Sequence, residues 1–324
     1  MRPTAVLALS VAVVLALALG LLLGTVSFGP LDALRALRDP TAAGGAILWQ
    51  IRLPRVLLAF LVGGGLGVSG ACLQALVRNP LAEPYLLGIS GGAGLGAVVG
   101  IALGWEVATA VPLAAFAGAL LAMGLVYRLA AVAGHRMDPR VLLLAGVVVS
   151  AFAGALVSAI LTLSPAARLR NAFLWLLGGF SSASWALVGI YALYAAAPLG
   201  LLWGASRWLD LLSLGDETAQ SLGAQVARTR RLVYLTTSLL TAACVAVSGM
   251  IGFVGLVAPH ALRGLIGPLH RRLLPAVFLG SGAFLVVADA CARTVVRPIE
   301  LPVGVVTALV GVPLFASLLR RTLT

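Results

Sequence analysis

Lysine is absent from this sequence of 324 residues; all 22 basic residues are arginine. A Walker A loop sets a lysine against the nucleotide phosphates. The chain is therefore no ordinary P-loop ATPase, and any ATP hydrolysis that drives it belongs to a partner. Charged residues amount to only 10%, and none falls in the middle of an apolar run. Proton and sodium relays normally carry an ionisable group at mid-membrane, so secondary transport loses ground. Cysteine is limited to Cys72, Cys244 and Cys291, each in an apolar stretch and at unrelated spacings. They read as small core residues, with no disulfide and no metal site. His260 and His270 lack companions at ligand spacing and read as structural or solvated. An intramembrane enzyme would need a nucleophile and base, or metal ligands, at depth; the sequence offers no such constellation.

What is abundant is apolar. The chain is 61% hydrophobic, with a mean hydropathy of +1.10, which places it among polytopic membrane proteins. A crossing takes roughly 20 residues, so ten crossings nearly exhaust the length and leave no soluble domain. The expectation is an all-α fold, one transmembrane domain over 1–324. Apolar runs between charged or proline-bearing breaks predict helices at 4–26, 56–77, 85–104, 110–133, 141–163, 185–205, 232–250, 251–267, 273–292 and 303–319. The apolar run of 4–26 exceeds the core of a signal peptide and reads as a retained first span. The net charge of +12 fits basic loops on the cytoplasmic side better than a nucleic-acid partner. With the N-terminus inside, Arg35, Arg38, Arg52, Arg55, Arg168, Arg170, Arg293 and Arg297 fall outside and the other arginines inside, which favours both termini in the cytoplasm.

Particular residues stand out against this background. Gly88, Gly92, Gly96 and Gly100 recur every four residues, a seam for close helix approach. Gly146, Ser150, Gly154, Ser158 and Thr162 form a second such stripe, which fits either a packing seam or the lining of a water-filled path. Asp289 and Arg293 are spaced to pair on one helical face. Gln74, polar within an apolar span, is placed to bond a neighbouring helix. In the loop 207–231, Ser213 with Asp216 resembles a capping box. Asp216 and Glu217 suit a positive first turn, and Gly223 suits a C-terminal cap, so a short helix outside the membrane is expected. Acid-plus-proline pairs, Asp138-Pro139 and Glu300-Leu301-Pro302, open the fifth and tenth helices and hint at an inverted repeat.

The blocks RLPR, GVSGACLQALVRNPLAEPYLLGISGGAGLGA, WLLGGFSSASW, GDETAQSLG, GMIGFVGLVAPHALRGLIGPLHRRLLP, ADACARTVV and ELPVGVVTALVGVPLF together resemble the iron-chelate and vitamin B12 permease family. These are the ten-helix membrane subunits of binding-protein-dependent ABC importers, and the resemblance runs nearly end to end. It implies a homodimer in a bacterial or archaeal cytoplasmic membrane. Two copies of a cytoplasmic ATPase, which binds ATP and magnesium, would drive it, leaving this chain with no cofactor and no enzymatic role of its own. A periplasmic or lipid-anchored binding protein would deliver a metal chelate: ferric siderophore, haem or cobalamin. By the same resemblance Gly146, Ser150, Gly154, Ser158 and Thr162 line the translocation path. Asn79, Leu81, Asp138 and Pro139 match the cytoplasmic gate, the last two departing from the small hydroxyl residues of the B12-type member. Arg52, Arg55 and Arg293 match docking positions for the binding protein, and Asp216, Glu217, Ala219 and Gly223 match the element that couples to the ATPase. An inverted-repeat secondary transporter is the alternative.

Overall fold

The computed structural model describes residues 3–24, 28–41, 44–132 and 138–323; Arg2 and Arg136, which enter the charge bias above, lie outside them. The ten expected helices are all present. They are α1 (Pro3–Leu22), α3 (Leu53–Val77), α4 (Ile89–Ala102), α5 (Ala110–Val132), α6 (Pro139–Leu163), α8 (Trp185–Gly204), α11 (Val226–Ser248), α12 (Val254–Ile266), α13 (His270–Thr294) and α14 (Val303–Leu323). Seven of them are long and apolar enough to cross a membrane, while α4, α12 and α14 are shorter apolar helices over their described lengths. Three further helices were not expected, α2 (Pro30–Arg38), α7 (Ala166–Leu176) and α9 (Ser206–Ser213); the short α10 (Asp216–Ser221) was.

Burial sorts the spans into centre and periphery. In the most apolar window of each, 83% of residues are buried in α3, 78% in α11 and 67% in α13, against 28% in α5, α6 and α8 and 11% in α1. A helix apolar all round has no face to spare for water and belongs inside a bundle or in lipid. In α3 the choice falls to the protein, because its small residues admit neighbours on every side. It packs on α8, α11, α12 and α13, and a Cβ at Gly70 would run into the carbonyl of Gly255. The predicted glycine seam of α4 faces α5, where Gly92 lies against the Gly118 backbone and Gly96 against Ala114. This exchange of side chain for close contact is how helices associate when lipid is as apolar as leucine.

With 14 and 13 residues, α4 and α12 reach only about 20 Å, too short to cross roughly 30 Å of hydrocarbon. Each starts from a break inside the bundle. Broken backbone inside a bundle must be bonded within the protein: ahead of α4 Leu86 N–H donates to the Glu83 carbonyl at 3.0 Å, and ahead of α12 Gly249 N–H donates to that of Val245 at 2.8 Å. A further junction lies at the α7 end. Gly179 N–H donates to the Ser248 carbonyl at 2.8 Å, and Val303 N–H to the Gly178 carbonyl at 3.0 Å. The ends of α7 and α11 and the start of α14 thus meet at one junction.

Candidate functional site

At one end of the bundle lies a buried cluster of charge. Asp289, 1% exposed, accepts from Arg55 Nε and Nη2 at 3.1 and 2.9 Å and pairs with Arg293 at 3.0 Å, as its spacing predicted. Arg55 also reaches Glu300 at 3.0 Å. Arg52 donates to the carbonyls of Leu21 and Leu22, and Arg293 to those of Gly20 and Leu23. The last carbonyls of a helix have no partner within it, and two arginines from other helices supply them for α1. Arg52, Arg55 and Arg293 are 4%, 8% and 4% exposed. The resemblance set them out as charges presented to a docking protein; in this chain they are inward-facing and engaged, because three apolar helix ends converge where they stand. Glu300 likewise does not cap α14 as Asp138 caps α6, where Asp138 accepts Arg140 N–H at 2.8 Å; it turns to Arg55 instead.

Beside the cluster is a cavity of about 380 Å³ lined by Arg55, Asn171, Ser181, Ser182, Ser248 and Glu300, among others. Its floor is the junction of broken helices. Outside the cavity lining, Glu83 of the α3–α4 connection accepts the Phe253 N–H at 2.6 Å. Tyr85 donates its hydroxyl to the Ile251 carbonyl at 2.9 Å and accepts the Ile251 N–H at 2.7 Å. Phe253, with φ of 69°, sits in the left-handed region ahead of α12, where a residue with a Cβ is disfavoured; the Glu83 bond holds it there. In sequence Glu83 falls in the break between the expected spans 56–77 and 85–104, which gives it no role. The signal was there: an acid between alanine and proline, in a stretch otherwise returning to apolar residues.

The expected path residues divide into two halves. Gly146 is buried against the backbone of Leu86 and Leu87, and Ser150 touches Gly91. That lower half is a packing seam. Gly154 has nothing within 4 Å of where its Cβ would stand, and Ser158 and Thr162 are exposed on the single chain. Their hydroxyls donate back to the carbonyls of Gly154 and Ser158 at 2.9 and 2.8 Å. Both gate pairs sit in local turns: Asn79 Oδ1 accepts the Leu81 N–H at 2.9 Å, and Pro139 opens α6 after Asp138. Among the described residues no hydrogen bond joins one pair to the other.

The short helix α10 forms where expected, with a different start. Ser213 donates to the Leu209 carbonyl at 2.9 Å, and Gly215, at φ 108°, is the N-cap, so no capping box forms. Asp216 and Glu217 occupy the first turn as predicted. At the far end Ala224 N–H reaches the Ala219 carbonyl and Gly223 N–H that of Gln220, both at 2.9 Å, with Gly223 at φ +85°. That is a Schellman ending, which requires a left-handed residue just past the helix. Ala219, fully buried, packs with Leu212, Ala224 and Val226, while Glu217 and Gly223 are exposed. Asp216 ties the helix to Arg230 at 2.7 Å and to Arg78 at 3.8 Å. Other side chains act structurally. Gln74 donates to the Gly255 carbonyl and accepts from Arg263 at 3.1 Å. His270 is held by Asp210, 2.6 Å from Nδ1. Cys72 and Cys244 are buried and free, and among the described residues no His, Cys, Asp or Glu group could hold a metal.

Comparison with known proteins agrees with this architecture. The model of the FecCD transport family matches residues 11–321. A cobalamin import system permease protein, BtuC, of Halobacterium salinarum is 44% identical over 274 residues, covering 85% of this chain and 73% of the relative. A hemin transport system permease protein, HmuU, of Yersinia pestis is 43% identical over 282 residues, covering 85% and 83%. A vitamin B12 import system permease protein, BtuC, of Salmonella typhi is 39% identical over 326 residues, covering 98% and 94%. Among solved structures, a metal-chelate type ABC transporter in an inward-facing conformation superimposes with a TM-score of 0.89 at 30% identity, covering 99% of this chain and 100% of that one. This chain belongs to the FecCD transport family and is an ABC transporter permease.

Proposed function

We propose that this chain is the membrane subunit of an ABC importer for a metal chelate, with haem, cobalamin and ferric siderophores as the candidate cargoes. The observation that carries the reading is the placement of two unlike sites on one rigid helix. The 25-residue α3, about 37 Å long, bears Arg55 of the buried cluster near its start and ends at Arg78, which meets Asp216 of the coupling helix. One end is thus ready for a soluble engine and the other for delivery. Exposed Glu217 and Gly223 on α10 meet the ATPase, of which two copies serve a homodimer. The open half of α6, from Gly154 to Thr162, faces the path between the two copies, and Asn79, Leu81, Asp138 and Pro139 close it on the cytoplasmic side. Exposed arginines at the Arg55 end, Arg35 and Arg38 on α2 and Arg168 and Arg170 on α7, steer a periplasmic or lipid-anchored binding protein with acidic lobes. Such charges speed and orient docking more than they tighten it. Both termini are then cytoplasmic.

Support for the cargo class comes from the haem and cobalamin permeases among the relatives. The test is uptake into vesicles holding this chain, its ATPase and its binding protein, offered haem, cobalamin and a ferric siderophore in turn. ATP-dependent accumulation of one of them is expected. Uphill uptake by this chain alone would overturn the reading in favour of a secondary transporter.

A further inference from the structure

A cavity of about 630 Å³ opens on the flank of the bundle near the coupling helix, lined by Trp208, Arg228, Arg231, Leu232 and Leu235, with others. The first of these is on α9 and the rest on α11. Because α11 packs on α3, α5 and α8, the face it leaves open carries Arg228, Arg231, Leu232 and Leu235, all exposed. The spacing of three, four and seven residues puts them in one stripe. Arg207 adds a third guanidinium, 5.8 Å from the centre of the Trp208 ring. Nearby acids are occupied elsewhere, Asp210 by His270 and Asp216 by Arg230. Among the described residues neither Arg228 nor Arg231 has an ion-pair partner.

We propose that this cavity binds an anionic phospholipid, its phosphate held by Arg228 and Arg231 and its acyl chain laid along Leu232 and Leu235. The chemistry is graded along the helix axis: guanidiniums at the start of α11, aliphatic side chains one and two turns further into a segment apolar enough to span a membrane. That order matches a phospholipid from headgroup to tail. The rim of the cavity reaches Gly223, proposed above to meet the ATPase, while Leu232 and Leu235 lie further along the span, away from that end. Tryptophan belongs at the level of the headgroups, and the positive start of a 23-residue helix adds to the attraction for phosphate.

Trp208 supplies the probe. The full-length protein is placed in vesicles of equal parts phosphatidylcholine and phosphatidylglycerol, with brominated chains on one lipid or the other, and the Trp208 signal is isolated by difference from Trp208→Phe. Brominated phosphatidylglycerol should quench that signal more strongly than brominated phosphatidylcholine. The double variant R228Q/R231Q should lose the preference, its relative affinity falling about thirtyfold if each basic residue contributes roughly a factor of five at an anionic surface. R228K/R231K should keep it, which separates charge from folding, and Arg170→Gln on distant α7 should not matter. Equal quenching by the two lipids in the unaltered protein, or a preference that survives R228Q/R231Q, would overturn the proposal. So would loss of the preference when the ATPase binds, because the cavity would then belong to that interface.

Discussion

Arg55 on α3 grips Asp289 on α13 through Nε and Nη2, at 2.9 to 3.2 Å, with 1% of Asp289 exposed. The same carboxylate pairs with Arg293, so Asp289 is shared by two guanidiniums, with Glu300 as a second partner of Arg55. Removing one member of a buried charge network leaves the others unpaired, at a cost of about 3–5 kcal/mol. Asp289→Ala should therefore lower the unfolding temperature of the detergent-purified protein sharply. Charge reversal at Arg52 and Arg55 should do the same and yield little folded protein. A well-folded R52E/R55E protein that merely fails to bind its delivery protein would return those residues to a docking role.

The two halves of the α6 stripe should respond oppositely to bulk. Gly154→Phe has open space before it and should leave the chain folded while blocking uptake in vesicles. Gly146→Leu must displace the Leu86 and Leu87 backbone and should reduce folded yield before transport is ever measured. Full uptake by folded Gly154→Phe would remove the open half from the path.

At α10 the expected separation is between holding the helix and being read by it. Gly223→Ala forces a Cβ into left-handed backbone at roughly 1–2 kcal/mol, which should loosen the helix end. Glu217→Arg touches nothing inside the chain and should leave the fold intact. Its defect should appear only in ATP hydrolysed per molecule imported. Unchanged coupling with Glu217→Arg would place ATPase contact elsewhere.

Glu83 predicts a graded response to substitution. It accepts the Phe253 N–H at 2.6 Å, and an unpaired buried donor costs about 1–3 kcal/mol. Glu83→Gln keeps an acceptor for Phe253 and should leave the unfolding temperature of the detergent-purified protein near that of the unaltered chain. Glu83→Leu, which removes the acceptor, should lower it. Equal unfolding temperatures for the two variants would show that the bond does not hold Phe253.

How much of this was legible in advance depended on period and length. Long apolar runs and glycine every fourth residue announced the spans and the α4–α5 seam, because both are local properties of one helix. The helix α10 was readable from Asp216, Glu217 and Gly223 for the same reason. Its start was not, since Ser213 found a nearer acceptor in Leu209 than any capping position. The helix α7 was missed because 11 residues at modest hydrophobicity look like a loop until Gly178 and Ser248 are brought together. The burial of Arg52, Arg55 and Arg293 was not legible for a different reason. A charge at the end of a span reads as exposed, and only the convergence of α1, α3 and α13, far apart in sequence, turns it inward.

The hydroxyls of Ser158 and Thr162 bend back to their own backbone, and Gly154 offers no side chain at all. If this face lines the path, as proposed, a solute there meets apolar side chains such as Phe152 and Leu156 and no charge. A wall of that kind would tell one passenger from another poorly, and on that reading the choice of cargo falls to the protein that delivers it.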